Sequence, residues 1–183
     1  MKNFTTSLLI IFMLSYFGFT SKSVAQVDVT INPIGLLWGN ISLGADFALS
    51  ENFSIEGQVG YSSGDEGNSK YSGIPITAYG KYYFNPNRGT DKFYLSAFTR
   101  FVSRSYKDDD GSTSNFEYTQ TRLGLGVGLG YKVVSAGNFV FDIGFGVGRA
   151  IIDNTNFKSG DDEILVDWPD IMFAGKLAVG YRF

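Results

Sequence analysis

The chain has 183 residues, 44% apolar and 18% charged, with 23 Gly, 17 Phe, 11 Tyr and only 4 Pro. That length fits one domain, and glycine with aromatics at this level favours many strands and tight turns over helices. Cys and His are both absent, which excludes disulfides, thiolate chemistry, Cys-ligated metal and the commonest general base; a net charge of −3 gives no reason to expect nucleic acid as a partner.

Residues 1–25 read as a cleavable signal peptide. Lys2 is the positive n-region, Leu8 to Phe19 the apolar h-region, and Ser23-Val24-Ala25 the small residues before a cut after Ala25. The apolar stretch is too short for a spanning helix, which needs about 20 residues. No Cys follows the cut, so no lipid attachment is expected there. Residues 26–183 are then expected to form a single domain.

From Val27 onward the chain alternates with period two. Val27, Val29 and Ile31 oppose Asp28, Thr30 and Asn32, a first strand expected to turn over near Pro33 to Asn40. Ile41, Leu43, Ala45, Phe47 and Leu49 oppose Ser42, Gly44, Asp46 and Ala48. Phe53, Ile55, Val59 and Tyr61 oppose Ser54, Glu56, Gln58 and Gly60. Ile74, Ile76, Ala78, Tyr82 and Phe84 oppose Thr77, Tyr79, Lys81 and Tyr83. Phe93, Leu95, Ala97 and Phe101 oppose Tyr94, Ser96, Phe98 and Arg100. Between Arg122 and Val133 every odd position is apolar, while the even ones are Arg122, four glycines and Lys132. Phe139, Phe141, Ile143, Phe145 and Val147 oppose Asp142, Gly144, Gly146 and Gly148. The last strand sets Ile171, Phe173, Leu177, Val179, Tyr181 and Phe183 against Ala174, Lys176, Ala178, Gly180 and Arg182.

Strands send successive side chains to opposite faces, so each segment separates an oily side from a polar or crowded one. A soluble sandwich also alternates. Here, however, the second face carries glycine and scattered charge instead of a hydrated Lys/Glu/Thr/Ser surface. A sheet in lipid must close, because an unpaired edge cannot be hydrated there. The expected fold is therefore all-β: an eight-stranded antiparallel transmembrane β-barrel, an up-and-down meander in the outer membrane.

The connections agree in parity. Ser50 to Asn52, Asn85 to Asp91 and Val134 to Asn138 read as short turns; Gly64 to Tyr71, Lys107 to Ser114 and Asp153 to Pro169 read as longer polar loops. Bacterial barrels alternate short periplasmic turns with long outer loops, and eight strands make the count come out. Asn115 to Thr121, opposite Arg104 to Tyr106, is expected to stand above the membrane as a polar ribbon.

A cleavable signal, eight strands and the ending Leu177-Ala178-Val179-Gly180-Tyr181-Arg182-Phe183 resemble the small Gram-negative outer-membrane barrels of the OmpX type and the OmpA transmembrane domain. Leu177, Val179, Tyr181 and Phe183 look like the signal that the barrel-assembly machinery reads during insertion. The resemblance implies an envelope protein among outer-membrane lipid and lipopolysaccharide, a monomer, with no defined activity.

An eight-stranded interior is just wide enough for side chains to fill it or to hold one small ligand. Its expected acids are Asp46, Glu56 and Asp142; its expected bases are Lys81, Arg100, Arg122, Lys132, Lys176 and Arg182. Buried charge is costly unless paired, so a lumen ion-pair network is expected, plugging the barrel. The alternatives are a narrow porin-like, anion-preferring channel, since bases outnumber acids, and a carrier for a small apolar ligand in the space left by the inward glycines. Those glycines are expected instead to make room for Tyr79, Tyr83, Tyr94 and Phe98. No catalytic residue, metal site or cofactor is expected. Asp108-Asp109-Asp110-Gly111 with Glu117 departs from a calcium loop, because Tyr106 would fall at its first ligand position; it and Asp161-Asp162-Glu163 read as solvated loop tips.

Overall fold

The computed structural model describes residues 26–33, 39–66, 69–108, 116–159 and 170–183. The expected signal peptide, the acidic tips at Asp109–Asp110 and Asp161–Glu163, and most of the expected first turn lie outside the described residues.

Eight strands follow one another: β1 (Val27–Ile31), β2 (Asn40–Ala48), β3 (Phe53–Glu66), β4 (Ser69–Tyr83), β5 (Lys92–Asp108), β6 (Phe116–Val134), β7 (Phe139–Ser159) and β8 (Ile171–Arg182). Each pairs antiparallel with the next, and β1 pairs with β8 to close the ring. We call the end that holds the start of β1 and the finish of β8 the base, and the opposite end the rim.

The two-residue period sorts the side chains. Outward positions such as Leu125, Val127, Phe145 and Phe173 stay exposed, while the alternate positions are largely buried. Glycines lie inward on β6 and β7 beneath large rings carried by β5, the strand next to β6. A Cβ on Gly146 would sit 2.7 Å from Phe98 Cε1, one on Gly144 2.6 Å from Tyr94 Oη, and one on Gly126 against the Phe98 ring. Tyr79 and Phe98 pack at 5.8 Å between ring centroids, and Tyr83 and Tyr94 at 5.2 Å. Tyr94 and Phe98 take the room above the inward glycines, reaching it from the adjoining β5 and not from across the lumen, and Tyr79 and Tyr83 pack on those two rings.

Gly146→Ala is accordingly expected to cost about 1–3 kcal/mol by overpacking. Phe98→Leu in the same chain should return most of that loss, a coupling that a double-mutant cycle of unfolding free energies would read directly. Purely additive losses would mean that the ring and the glycine do not share the space.

Toward the rim the strands run further than the sequence suggests. Residues 64–66 belong to β3 and residues 69–71 to β4, with Gly64 opposite Tyr71 and Asp65 opposite Lys70. Lys107 and Asp108 remain in β5, and β7 continues from Asp153 to Ser159. These stretches form a polar ladder in which neither face is apolar, so the backbone pairs without leaving a period in the side chains. The pairing expected for the ribbon is there from Phe116 onward: Arg104 opposes Gln120, and Tyr106 stacks on Tyr118 with centroids 5.2 Å apart.

A bulge interrupts β7. Leu123 pairs with Ile152 and Gly124 with Ala150, leaving Ile151 as the extra residue. Ile151 and Ile152 both face outward in consequence, and Asp153 comes opposite Arg122.

Candidate functional site

Buried charge collects inside the base half of the barrel. Lys81, on β4, is 1% exposed. Its ammonium lies 3.0 Å from both Asp46 Oδ2 on β2 and Asp142 Oδ2 on β7, and it also pairs with Glu56 of β3. Lys176 on β8 reaches Glu56 Oε2 at 2.6 Å and Asp142 Oδ2 at 2.5 Å. Lys132 on β6 reaches Asp46 Oδ2 at 2.6 Å and Asp28 Oδ2 at 2.8 Å. Arg182 on β8 completes the chain by donating from Nε to Asp28 Oδ1 at 2.6 Å and from Nη2 to Asp28 Oδ2 at 2.8 Å. Four carboxylates and four cations thus form one neutral cluster drawn from seven of the strands.

Aromatic groups finish its surroundings. Tyr94 Oη donates to Asp142 Oδ1 at 2.8 Å, and Tyr83 Oη to Asp46 Oδ2 at 3.3 Å. The Lys81, Lys132 and Lys176 ammoniums lie 4.8, 5.1 and 5.9 Å from the ring centroids of Tyr94, Tyr83 and Tyr79. The space left between Tyr79, Lys81, Tyr94 and Lys176 is about 10 Å³, at the lower limit for a single water of roughly 10–15 Å³.

Of the residues expected in the lumen network, Asp46, Glu56, Lys81, Lys132, Asp142, Lys176 and Arg182 meet. Arg122 stands nearer the rim, with Nε 2.9 Å from Asp153 Oδ2. Arg100 stands apart from both groups. It shares a polar cavity of about 40 Å³ with Asn32, Asn40, Ser42, Gln58 and Thr77, and no carboxylate pairs with it among the described residues. Asp28 and Asp153 are the acids the sequence reading missed. With them included, the apparent excess of base reduces to Arg100. Of the expected assembly signal, Leu177, Val179 and Tyr181 lie in the outward row of β8 and Phe183 follows its end, with Tyr181 packed edge-on against Phe139 and Phe183.

A family model described as a protein of unknown function (DUF3575) matches residues 8–167. The chain belongs to the DUF3575 family. Neither a curated protein nor a solved structure matches it. The match runs through β1 to β7 and ends before β8, so it includes every charge of the cluster in this DUF3575 member except Lys176 and Arg182.

The base of the DUF3575 barrel has a second layer. Between β4 and β5 the turn 84–91 folds under the lumen, with Thr90 and Asp91 buried. Asp91 Oδ1 accepts from Asn87 N at 2.6 Å, and Gly89 takes a left-handed φ of 77°. Arg182 Nη2 donates to Thr90 O at 3.0 Å, and Nη1 donates to Arg88 O. One guanidinium therefore ties the last strand, the first strand and this turn together.

Oxygens of Asp46, Glu56 and Asp142 lie within 4.8 Å of one another, close enough to suggest a hard cation. Lys81 already pairs with all three carboxylates. A divalent ion would have to displace that ammonium and would then face Lys132 and Lys176 as well, so the donor set does not fit one.

Proposed function

We propose that this DUF3575 chain is an integral outer-membrane β-barrel, exported through its signal peptide and plugged along its lumen, with a structural or surface-contact role in the envelope. Its environment would be outer-membrane lipid and lipopolysaccharide, reached as a monomer through the barrel-assembly machinery.

The observation that carries the reading is the outer wall. Leu125, Val127, Leu129, Ile143, Phe145 and Phe173 are between 47% and 65% exposed, an extent of open apolar surface that soluble monomers do not present. From Leu123 to Val133 the outward row covers about 33 Å of strand. Tilted by about 40°, that gives a band roughly 25 Å tall, the height of an outer-membrane barrel's apolar belt. Aromatics ring the base: Tyr82 with Phe84, Phe84 with Phe93, and Tyr181 with Phe183 pack at 5.2, 5.8 and 5.1 Å. Such girdles favour a membrane–water boundary.

The charge cluster supports a plug in place of a channel or a catalyst. Each of its carboxylates is already held by a cation, and the turn 84–91 lies beneath them. The polar ribbon of β5, β6 and β7 at the rim would supply a surface for contacts outside the cell.

Two measurements test this. The mature chain, residues 26–183, should fold only when detergent or lipid is supplied; folding in plain buffer would defeat the membrane reading. Reconstituted in a planar bilayer, it should give no discrete current steps. Regular steps would replace the plug with a narrow channel.

A further inference from the structure

Two cavities meet at the seam where the barrel closes. β1 pairs with β8 from Val27, which exchanges backbone hydrogen bonds with Phe183, to Ile31 opposite Val179. β8 continues toward the rim as far as Ile171, and along that part it has no β1 partner among the described residues. On the outer wall beside this stretch lies a groove of about 720 Å³, formed by Leu129, Ile143, Phe145 and Leu177. Inside lies the polar cavity that holds Arg100. Asn32, Asn40 and Gly175 line both, so the oily groove and the cationic cavity adjoin across these three residues.

Each half has an unmet requirement. Arg100 is half-buried with no anionic partner among the described residues, and an unpaired guanidinium in a confined polar space favours an anion. Asn32 Oδ1 is buried with no hydrogen-bond partner among the described residues; rotation of that amide would present its NH2 group to the same cavity. On the outside, Gly175 breaks the outward row Ile171, Phe173, Leu177, Val179, and a Cβ there would meet nothing within 4 Å. The glycine leaves a notch where a side chain would otherwise close the groove.

We propose that this seam binds a single-chain fatty carboxylate, its head group on Arg100 and its acyl chain in the groove beside Gly175. The inference rests on the membrane reading above. Size selects the head group: about 40 Å³ holds roughly three waters' worth of polar atoms, enough for a carboxylate and too little for a substituted phosphodiester. The outer groove falls within the roughly 300–1,000 Å³ of small-molecule sites.

The test uses the mature chain reconstituted in phosphatidylcholine vesicles, with palmitate bearing a photoreactive diazirine on its chain. Adducts mapped by peptide mass spectrometry should concentrate on the β7 and β8 segments around Phe145 and Leu177. Arg100→Met should lower them about tenfold, the worth of one charge-assisted contact, and Arg100→Lys should keep most of them. Gly175→Leu should lower them as much by filling the notch, and it has room to fold. Wild-type protein with a diazirine hexadecanol, which lacks the charge, should label like Arg100→Met, so the result does not depend on that variant folding. Even labelling of the whole wall, or labelling indifferent to Gly175→Leu and to head-group charge, would overturn the site while leaving the barrel in its membrane. Recovery of the protein outside the vesicles, unlabelled by a diazirine phospholipid as well, would instead overturn the membrane reading.

Discussion

Lys81→Met is expected to destabilise the barrel by about 3–5 kcal/mol, the range for removing one partner from a buried ion pair. Three carboxylates face its ammonium, and none of them is accessible to water. Taking away the cation leaves three anions close together in a confined space, with Lys132 and Lys176 already committed to Asp28, Asp46, Glu56 and Asp142. Unfolding by urea in detergent micelles, followed by the shift between folded and unfolded bands on a gel, measures the loss. Adding Glu56→Gln to Lys81→Met should recover part of it, because one of the stranded charges goes too. Arg149→Met is the matched control: its ion pair with Asp170 is 2.8 Å long, but the side chains are 78% and 54% exposed, and such pairs are worth about 0–1 kcal/mol. Equal losses from Lys81→Met and Arg149→Met would show that the cluster is not what holds the lumen.

Gly180→Ala should cost at least about 3 kcal/mol, beyond ordinary overpacking, by forcing the closing strands apart. A Cβ on Gly180 would run into the Val29 carbonyl oxygen and come within 2.8 Å of Thr30 Cα. Both are backbone atoms of β1, so no rotamer change relieves the collision. The relief must come from moving one strand off the other, along a seam that pairs only from Val27 to Ile31 among the described residues. Gly57→Ala supplies the comparison, since a Cβ there meets nothing within 4 Å; it should be neutral or gain slightly from lost chain freedom. The fraction of folded band after refolding distinguishes the two. A Gly180→Ala chain that folds as well as Gly57→Ala would show that β1 and β8 need not approach so closely.

The barrel was legible because the contrast between its two faces is written at every second residue. Leu123 to Val133 against Arg122 to Lys132 needs no more than that to place a strand and orient it. Legibility stopped where the contrast stops. The rim ends of β3, β4 and β7 are polar on both faces, so Gly64 to Glu66, Ser69 to Tyr71 and Asp153 to Ser159 looked like loops although they pair. Parity also fails across a bulge: Ile151 shifts the count by one, and Asp153 reaches Arg122 from a position that strict alternation points outward. Asp28 carried the right parity in a strand too short to draw attention to its charge. Arg100 shows the opposite limit. Its inward direction was readable, but its separation from the cluster depends on strand stagger, which a side-chain period does not encode. The part played by Arg88 and Thr90 was out of reach, because it uses their carbonyl oxygens.

The contact between Asp28 and Arg182 joins residues 154 apart in sequence. The entropic penalty of bringing the two ends of such a chain together must be met before any pairing between them gives a return. Closure is then the last event of folding, and until it happens β8 and β1 are both open edges that could pair with a neighbouring chain. A guanidinium that can be satisfied only when both ends and the turn between β4 and β5 have arrived makes that final step all-or-none. It also fixes the choice of alignment, since a slip of one residue would turn Asp28 out of the lumen and leave Arg182 without its anion.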